Sequence, residues 1–152
     1  MRRGCSYAQL SHYSDCQNAM MYKNPTVQVS WGELIDKMTI LEIKEKRLIL
    51  SEAVANVRRE LTAVRMVVQN IQSEQLALLA NELKAINEDL WEIEDKIRTK
   101  EAAKSFDQEF IELARSVYRR NDERAAIKRE INKLLNSEIV EEKSYDTNAD
   151  KQ

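Results

Sequence analysis

Glycine and proline are almost missing from this chain. There are two glycines and one proline, and all three (Gly4, Pro25 and Gly32) fall before residue 33. Sheets need tight turns, and tight turns usually need Gly, Pro or Asn-Gly pairs. Their absence from position 33 onward excludes a β-rich architecture and predicts long helices joined by short polar breaks. Histidine is nearly absent too. His12 is the only one, so no Ser/His or Cys/His nucleophilic pair is available in the rest of the chain. Cys5 and Cys16 are the only cysteines, and both precede the helical region. They cannot staple a core, and a reducing cytoplasm is the expected compartment. No apolar run reaches the length of a membrane span, and Arg2 and Arg3 are not followed by the apolar stretch of a secretory signal. An excess of one charge is also lacking. With a net charge of −2, the chain does not have the basic surplus of a nucleic-acid binder.

What is present is charge, at 33% of residues, and a repeating apolar beat. Residues 1–24 lack that beat and read as a disordered leader, in which Met20 or Met21 is an alternative start. Cys5, His12 and Cys16 make three metal-ligand types there, without a fourth. Residues 25–145 read as a single helical domain and 146–152 as a polar tail. "SWGE" offers Ser30 and Glu33 as a capping box, which starts a helix over 31–50. Its stripe is Trp31, Leu34, Met38, Leu41 and Leu48, widened by Ile35 and Ile49 and interrupted by Glu45. Ser51 is the expected cap of a second helix, 52–70, carrying Val54, Val57, Leu61, Val64 and Val68. Ser73 opens a third, 74–103, and "SFDQ" a fourth, 106–136. Thr26–Val29 and residues 138–145 read as extended segments that could pair at one end.

The fold class is therefore all-α: an antiparallel, coiled-coil-like bundle in up-down-up-down order. The third and fourth helices, roughly 45 Å long at 1.5 Å per residue, outrun the first two. Part of their seam is left uncovered, and a homodimer is the simplest cover.

Two patterns carry possible chemistry. In the fourth helix, Phe110, Leu113, Val117, Ile127, Ile131 and Leu134 keep a three-four spacing, but Arg120 and Arg124 fall on the same seam. A guanidinium in a seam requires a partner. One reading is a polar layer in which Arg124 meets Glu42, Glu45 or Glu92, with Glu88 and Asp95 as further acidic candidates. The other is an anion pocket built from Arg115, Arg119, Arg120, Asn121, Arg124 and Lys128. The second pattern is acidic. Glu33 with Asp36, and Glu92 with Asp95, resemble the magnesium-holding carboxylates of all-helical MazG-type nucleotide pyrophosphohydrolases. Acidic pairs at this spacing arise by chance in so charged a chain, so no cofactor is the primary expectation and magnesium the alternative.

Three stretches in order, "VSWGELIDKMTILEIKEKR" (29–47), "LWEIEDKIR" (90–98) and "FIELARSVYRRNDERAAIKREINKLLNSEIVEEKSY" (110–145), resemble a family of short, all-helical bacterial proteins classed as a domain of unknown function. The resemblance spans about residues 26–145. It implies a setting near glycosyltransferases of surface-polysaccharide synthesis and no defined activity. Family members often carry Asp-Pro where this chain has Leu50–Ser51, which supports a break there. The resulting expectation is a non-enzymatic module that binds a protein partner or itself, with a magnesium-dependent nucleotide or sugar-nucleotide enzyme as the alternative.

Overall fold

The computed structural model describes residues 24–141. The expected leader (save its last residue), the Cys5–His12–Cys16 set and the tail lie outside the described residues. Four helices follow one another: α1 (Trp31–Arg47), α2 (Ser51–Val68), α3 (Glu74–Ala102) and α4 (Gln108–Leu134). Among the described residues there is no strand, and the fold is all-α as expected. Among the described residues no helix is long and apolar enough to cross a membrane.

The helix starts show which side chains win the cap. Ser30 Oγ accepts from Glu33 N at 3.2 Å and Ser73 Oγ from Leu76 N at 3.2 Å, both at the expected places. The Ser30 box is only half formed, because the Glu33 carboxylate turns away to Lys128. Two caps differ from expectation. Asp107, not Ser105, caps α4 by accepting from Phe110 N at 3.0 Å, so the helix begins two residues late. Ser105 instead donates to Asp107 Oδ2 at 3.2 Å. Leu50, with no side-chain bond to offer, occupies the N-cap of α2 in place of Ser51.

Two helix C-termini turn without glycine. Lys104 and Asn136 take left-handed backbone angles, φ 52° and 51°. The chain then closes each end with Ser105 N donating to Lys100 O (2.9 Å) and Ser137 N to Asn132 O (2.8 Å). The lysine costs about 1–2 kcal/mol in that region, while asparagine tolerates it.

The extended residues Leu48 and Leu50 break α1 from α2. The two helices form the expected antiparallel hairpin, crossed by Lys37–Glu60 and Arg58–Glu45 ion pairs of 2.6 and 2.9 Å. The bundle is nevertheless not four-sided. α1 packs against all three other helices, α3 packs against α4, and α2 packs against α1. Ile35, Leu76, Leu83 and Ile131 form one core where α1, α3 and α4 meet, reached from α2 by Val68. Leu41, Val57, Leu61 and Val64 form a second between α1 and α2. α1 is thus buried on two faces. The expected stripe through Leu34, Met38, Leu41 and Leu48 is only the α2-facing one. Ile49, read as widening that stripe, is 96% exposed because the helix has already ended.

Arg47, the last residue of α1, pairs with Glu92 at 2.6 Å and stands over the Trp91 ring at 5.6 Å. Beyond that level α3 and α4 continue alone. From residue 91 to residue 118 no side chain is buried, and Ile93, Ile97, Phe110, Leu113 and Val117 are half-covered along the α3–α4 seam. This segment is the distal hairpin. At the opposite end Trp31 N donates to Ser137 Oγ at 3.3 Å, and Ser137 Oγ donates to the Ile139 carbonyl at 2.8 Å; residues 142–145 of the second segment expected to pair lie outside the described residues. Among the described residues no backbone hydrogen bond joins Thr26–Val29 to residues 138–141.

Candidate functional site

α1 and α4 run antiparallel, so the first turns of α1 meet the last turns of α4. Gly32 permits the approach. Its N–H donates to Asn132 Oδ1 at 2.6 Å, and a Cβ at this position would lie 2.6 Å from the Lys128 carbonyl oxygen. One turn further on, Asp36 is buried and takes the guanidinium of Arg124. Nε donates to Oδ1 at 2.9 Å, and Nη2 donates to Oδ2. From α3, Asn87 Nδ2 donates to Asp36 Oδ1 at 2.8 Å and to Thr39 Oγ1 at 2.9 Å. Thr39 Oγ1 in turn donates to the Asp36 carbonyl at 2.8 Å. Arg124 Nη1 reaches Asn121 Oδ1 at 3.3 Å, and Asn121 Nδ2 donates to the Val117 carbonyl at 2.9 Å. Lys128, also buried, holds Glu33 and, at 2.6 Å, Glu141.

The result is a polar seam three helices deep. The hydrogen bond to Asp36 raises the Arg124 pKa, with burial opposing it. For Lys128 burial works against the charge, but the bonds to Glu141 and Glu33 outweigh it and the pKa is raised. Both cations are therefore fixed in the charged form. The Asp36 carboxylate accepts two guanidinium bonds and an amide bond, which ties α1 to both α4 and α3.

This placement revises several expectations. Arg124 does face inward, but its partner is Asp36, not Glu42, Glu45 or Glu92. Those three point elsewhere: Glu42 to Lys84 and Arg65 (2.5 and 3.0 Å), Glu45 to Arg58, and Glu92 to Arg47. Asp95 pairs with Arg98 at 3.3 Å, and Glu88 makes no ion pair among the described residues. Glu42 lies in a partly buried site that works against its charge. Its bonds to Lys84 and Arg65 prevail and hold its pKa below the usual value. The basic band does not converge on an anion pocket. Arg120, read as a seam residue, sits on the rim between Asp89 (3.1 Å) and Glu123 (2.7 Å). Arg115 pairs with Glu112 at 3.4 Å, and Arg119 lies over the Tyr118 ring at 5.9 Å. The carboxylates of the magnesium alternative also stay apart. Glu33 and Asp36 are tied to Lys128 and Arg124 near the start of α1, while Glu92 and Asp95 lie on the distal part of α3. Among the described residues no group of three acidic, cysteine or histidine side chains could hold a metal ion.

Sequence reasoning missed Thr39, Asn87, Gly32 and Asn132. One signal was present. Glu33 and Asp36 sit three apart on α1, and Arg124 and Lys128 four apart on α4, a matched pair of charges for antiparallel helices. Beside the seam, a cleft of about 210 Å³ opens between the second half of α1 and the α3–α4 pair. Ile40, Ile43, Asn87, Leu90, Trp91 and Arg124 are among the residues that line it. It is smaller than the roughly 300–1,000 Å³ of ordinary small-molecule sites.

A family model matches residues 25–151. The chain belongs to DUF6165, a family of unknown function. No curated protein and no solved structure matches it. The polar seam of this DUF6165 chain lies within the matched region.

Proposed function

We propose that this DUF6165 chain is a non-enzymatic, cytoplasmic interaction module that binds another protein chain through its distal hairpin. One observation carries the reading: α3 and α4 extend past α1 with an apolar seam, and nothing between residues 91 and 118 is buried. Phe106 and Tyr118 there are 58% and 53% exposed. A helix pair gains most of its stability by burying an apolar face, and a third chain laid along this pair supplies that burial. The polar seam supports the same reading, because its charged groups are paired with one another and serve to align α1 with α4. The setting implied by the family resemblance makes a glycosyltransferase of surface-polysaccharide synthesis the first partner to try, beside self-association.

The test is binding of such an enzyme by the full chain and by Phe106→Glu and Tyr118→Glu variants, measured by titration calorimetry. Loss of binding with the melting temperature unchanged is the expected result. Binding untouched by both substitutions overturns the reading. So does a rise in melting temperature on adding magnesium with a nucleoside triphosphate or sugar nucleotide, which would move the function to the cleft.

A further inference from the structure

Asn87 leaves one hydrogen-bond position open. Its Nδ2 donates to Asp36 Oδ1 at 2.8 Å and to Thr39 Oγ1 at 2.9 Å. The Thr39 hydroxyl directs its own hydrogen to the Asp36 carbonyl, so toward Asn87 it acts as an acceptor. The amide is therefore fixed one way round, because a flip would set its oxygen against the Asp36 carboxylate and the Thr39 oxygen. Held like this, Asn87 Oδ1 receives no hydrogen bond from any described residue. Asn87 is only 6% exposed. Among the described residues no sealed side-chain polar atom lacks a partner, so Oδ1 opens onto the space that Asn87 lines, the cleft of about 210 Å³.

Arg124 stands at the same wall with free donors. Asp36 takes one N–H from Nε and one from Nη2, and Asn121 takes one from Nη1. A guanidinium has a further N–H on each Nη, and no described residue accepts from these. The side chain is 26% exposed and lines the cleft. Asn87 Nδ2 and Arg124 Nε bind the same oxygen, Asp36 Oδ1, so the open acceptor and the open donors are neighbours. Ile40, Ile43, Leu90 and Trp91 supply the apolar part of the wall. At the mouth Arg98 is held by Glu94 and Asp95 (2.8 and 3.3 Å), as Arg124 is held by Asp36. The cleft thus offers no excess of positive charge to an anion.

We propose that this cleft binds a small, flat, uncharged ring that carries an amide edge, an N–H beside a C=O. The amide oxygen accepts from the free Arg124 N–H groups, and the amide N–H donates to Asn87 Oδ1. The ring lies against Trp91 and the aliphatic wall. A carboxylate offers acceptors alone. Arg124 would hold one of its oxygens, and the other would meet Asn87 Oδ1, whose orientation is locked. A plain hydrocarbon ring would cover both polar groups and leave them without partners. Asp36 holds the Asn87 amide and the Arg124 guanidinium before any ligand arrives, so binding has little left to order. The volume sets the size: it falls below that of drug-sized sites and suits one ring with its amide rather than a nucleotide. Two forms of ligand present this edge, a carboxamide attached to an aromatic ring and a lactam within the ring. The site does not rest on the reading of the distal hairpin.

An NMR titration of the full chain tests this, with benzamide for the carboxamide form and 2-pyridone for the lactam. By about 10 mM, a weak limit for fragments of this size, at least one of them shifts the Trp91 indole N–H and the Asn87 side-chain amide. The tighter of the two identifies the form. Benzoate and N,N-dimethylbenzamide lack the N–H and bind about tenfold more weakly or not at all. Ile40→Phe puts a ring into the cleft without touching the seam. It removes the response, and its melting temperature is not lowered. Should that variant fail to fold, the compounds on the parent chain still decide. No response to either amide overturns the site. So does benzoate or N,N-dimethylbenzamide binding as tightly as benzamide, which would reduce the cleft to an unselective apolar hollow. A response that survives Ile40→Phe places the ligand elsewhere and overturns it too. None of these compounds carries a phosphate or needs a metal, so the result is read apart from the glycosyltransferase titration.

Discussion

The two halves of the α3–α4 pair have the same apolar beat and opposite fates. In the proximal half Leu76, Leu83, Leu90 and Ile131 are buried, because α1 lies against both helices. In the distal hairpin Ile93, Ile97, Phe110, Leu113 and Val117 repeat the spacing and none is buried. The polar groups differ in the same way. Proximally, Asp36 and Lys128 are buried, and the charges around them are shared among three helices and joined to amides and hydroxyls. Distal charges pair across the tip or along one helix, as in Lys100 with Asp107 and Arg98 with Glu94 (2.9 and 2.8 Å). Two helices side by side can align a seam but cannot enclose it, and burial takes a third element.

The comparison breaks most readily at Asp36. Asp36→Ala leaves the partly buried Arg124 guanidinium without its carboxylate and should destabilise the chain by about 3–5 kcal/mol in urea unfolding. Arg124→Met alone should cost a similar amount, because Asp36 stays buried with only amide and hydroxyl partners. Asp36→Leu combined with Arg124→Met should recover most of the loss. If Asp36→Ala costs no more than an exposed pair, about 1 kcal/mol or less, the seam is not what aligns α1 with α4.

Next in size is the contrast between two core truncations. Leu83→Ala, at a fully buried position, should cost about 2–5 kcal/mol, and Ile97→Ala, at a half-covered one, well under that. Equal costs in the monomer would mean that the distal seam is packed as tightly as the proximal one. Gly32→Ala comes third. The added methyl meets the Lys128 carbonyl, so α1 must move away from α4, at about 1–3 kcal/mol. Amide exchange should show the loss as faster opening of α1, and unchanged protection there would contradict the close approach.

The smallest effect belongs to the hairpin tip. Bonds from Lys100, the Phe110 amide and Ser105 lower the Asp107 pKa from 3.8 to about 2. A depressed carboxyl pKa contributes stability above its unfolded value, and that contribution fades as pH falls toward the folded value. Between about pH 4 and pH 2 the start of α4 should therefore loosen, seen as faster amide exchange at Phe110 with the proximal half unaffected. Loosening that first appears on raising the pH would have the wrong sign for this cap.

Much of this was legible from residue order. The absence of glycine and proline after Gly32, the three-four beat and the serines before helices located four helices to within a few residues, since these are local effects. The single stripe read on α1 was half the truth. Its second face carries Asp36 and Thr39 beside Ile35 and Ile43, and polar residues hide a buried face from any hydrophobic periodicity. The partner of Arg124 was illegible for a related reason. Asp36 resembled every other carboxylate in a chain with 26 acidic residues, and only the antiparallel contact at Gly32 sets it against Arg124.

The sequence by itself determined that this protein is helical, about where its helices start and break, and that two arginines on α4, Arg120 and Arg124, needed anions. Those outcomes depend on groups within a turn or two of each other. The tertiary structure alone decided that α1 occupies the centre, that Asp36 is the anion of Arg124, and that the beat buries side chains in one half and leaves them open in the other. Each of these depends on which helices run side by side and how far, and periodicity along one chain segment carries no information about where its neighbour ends.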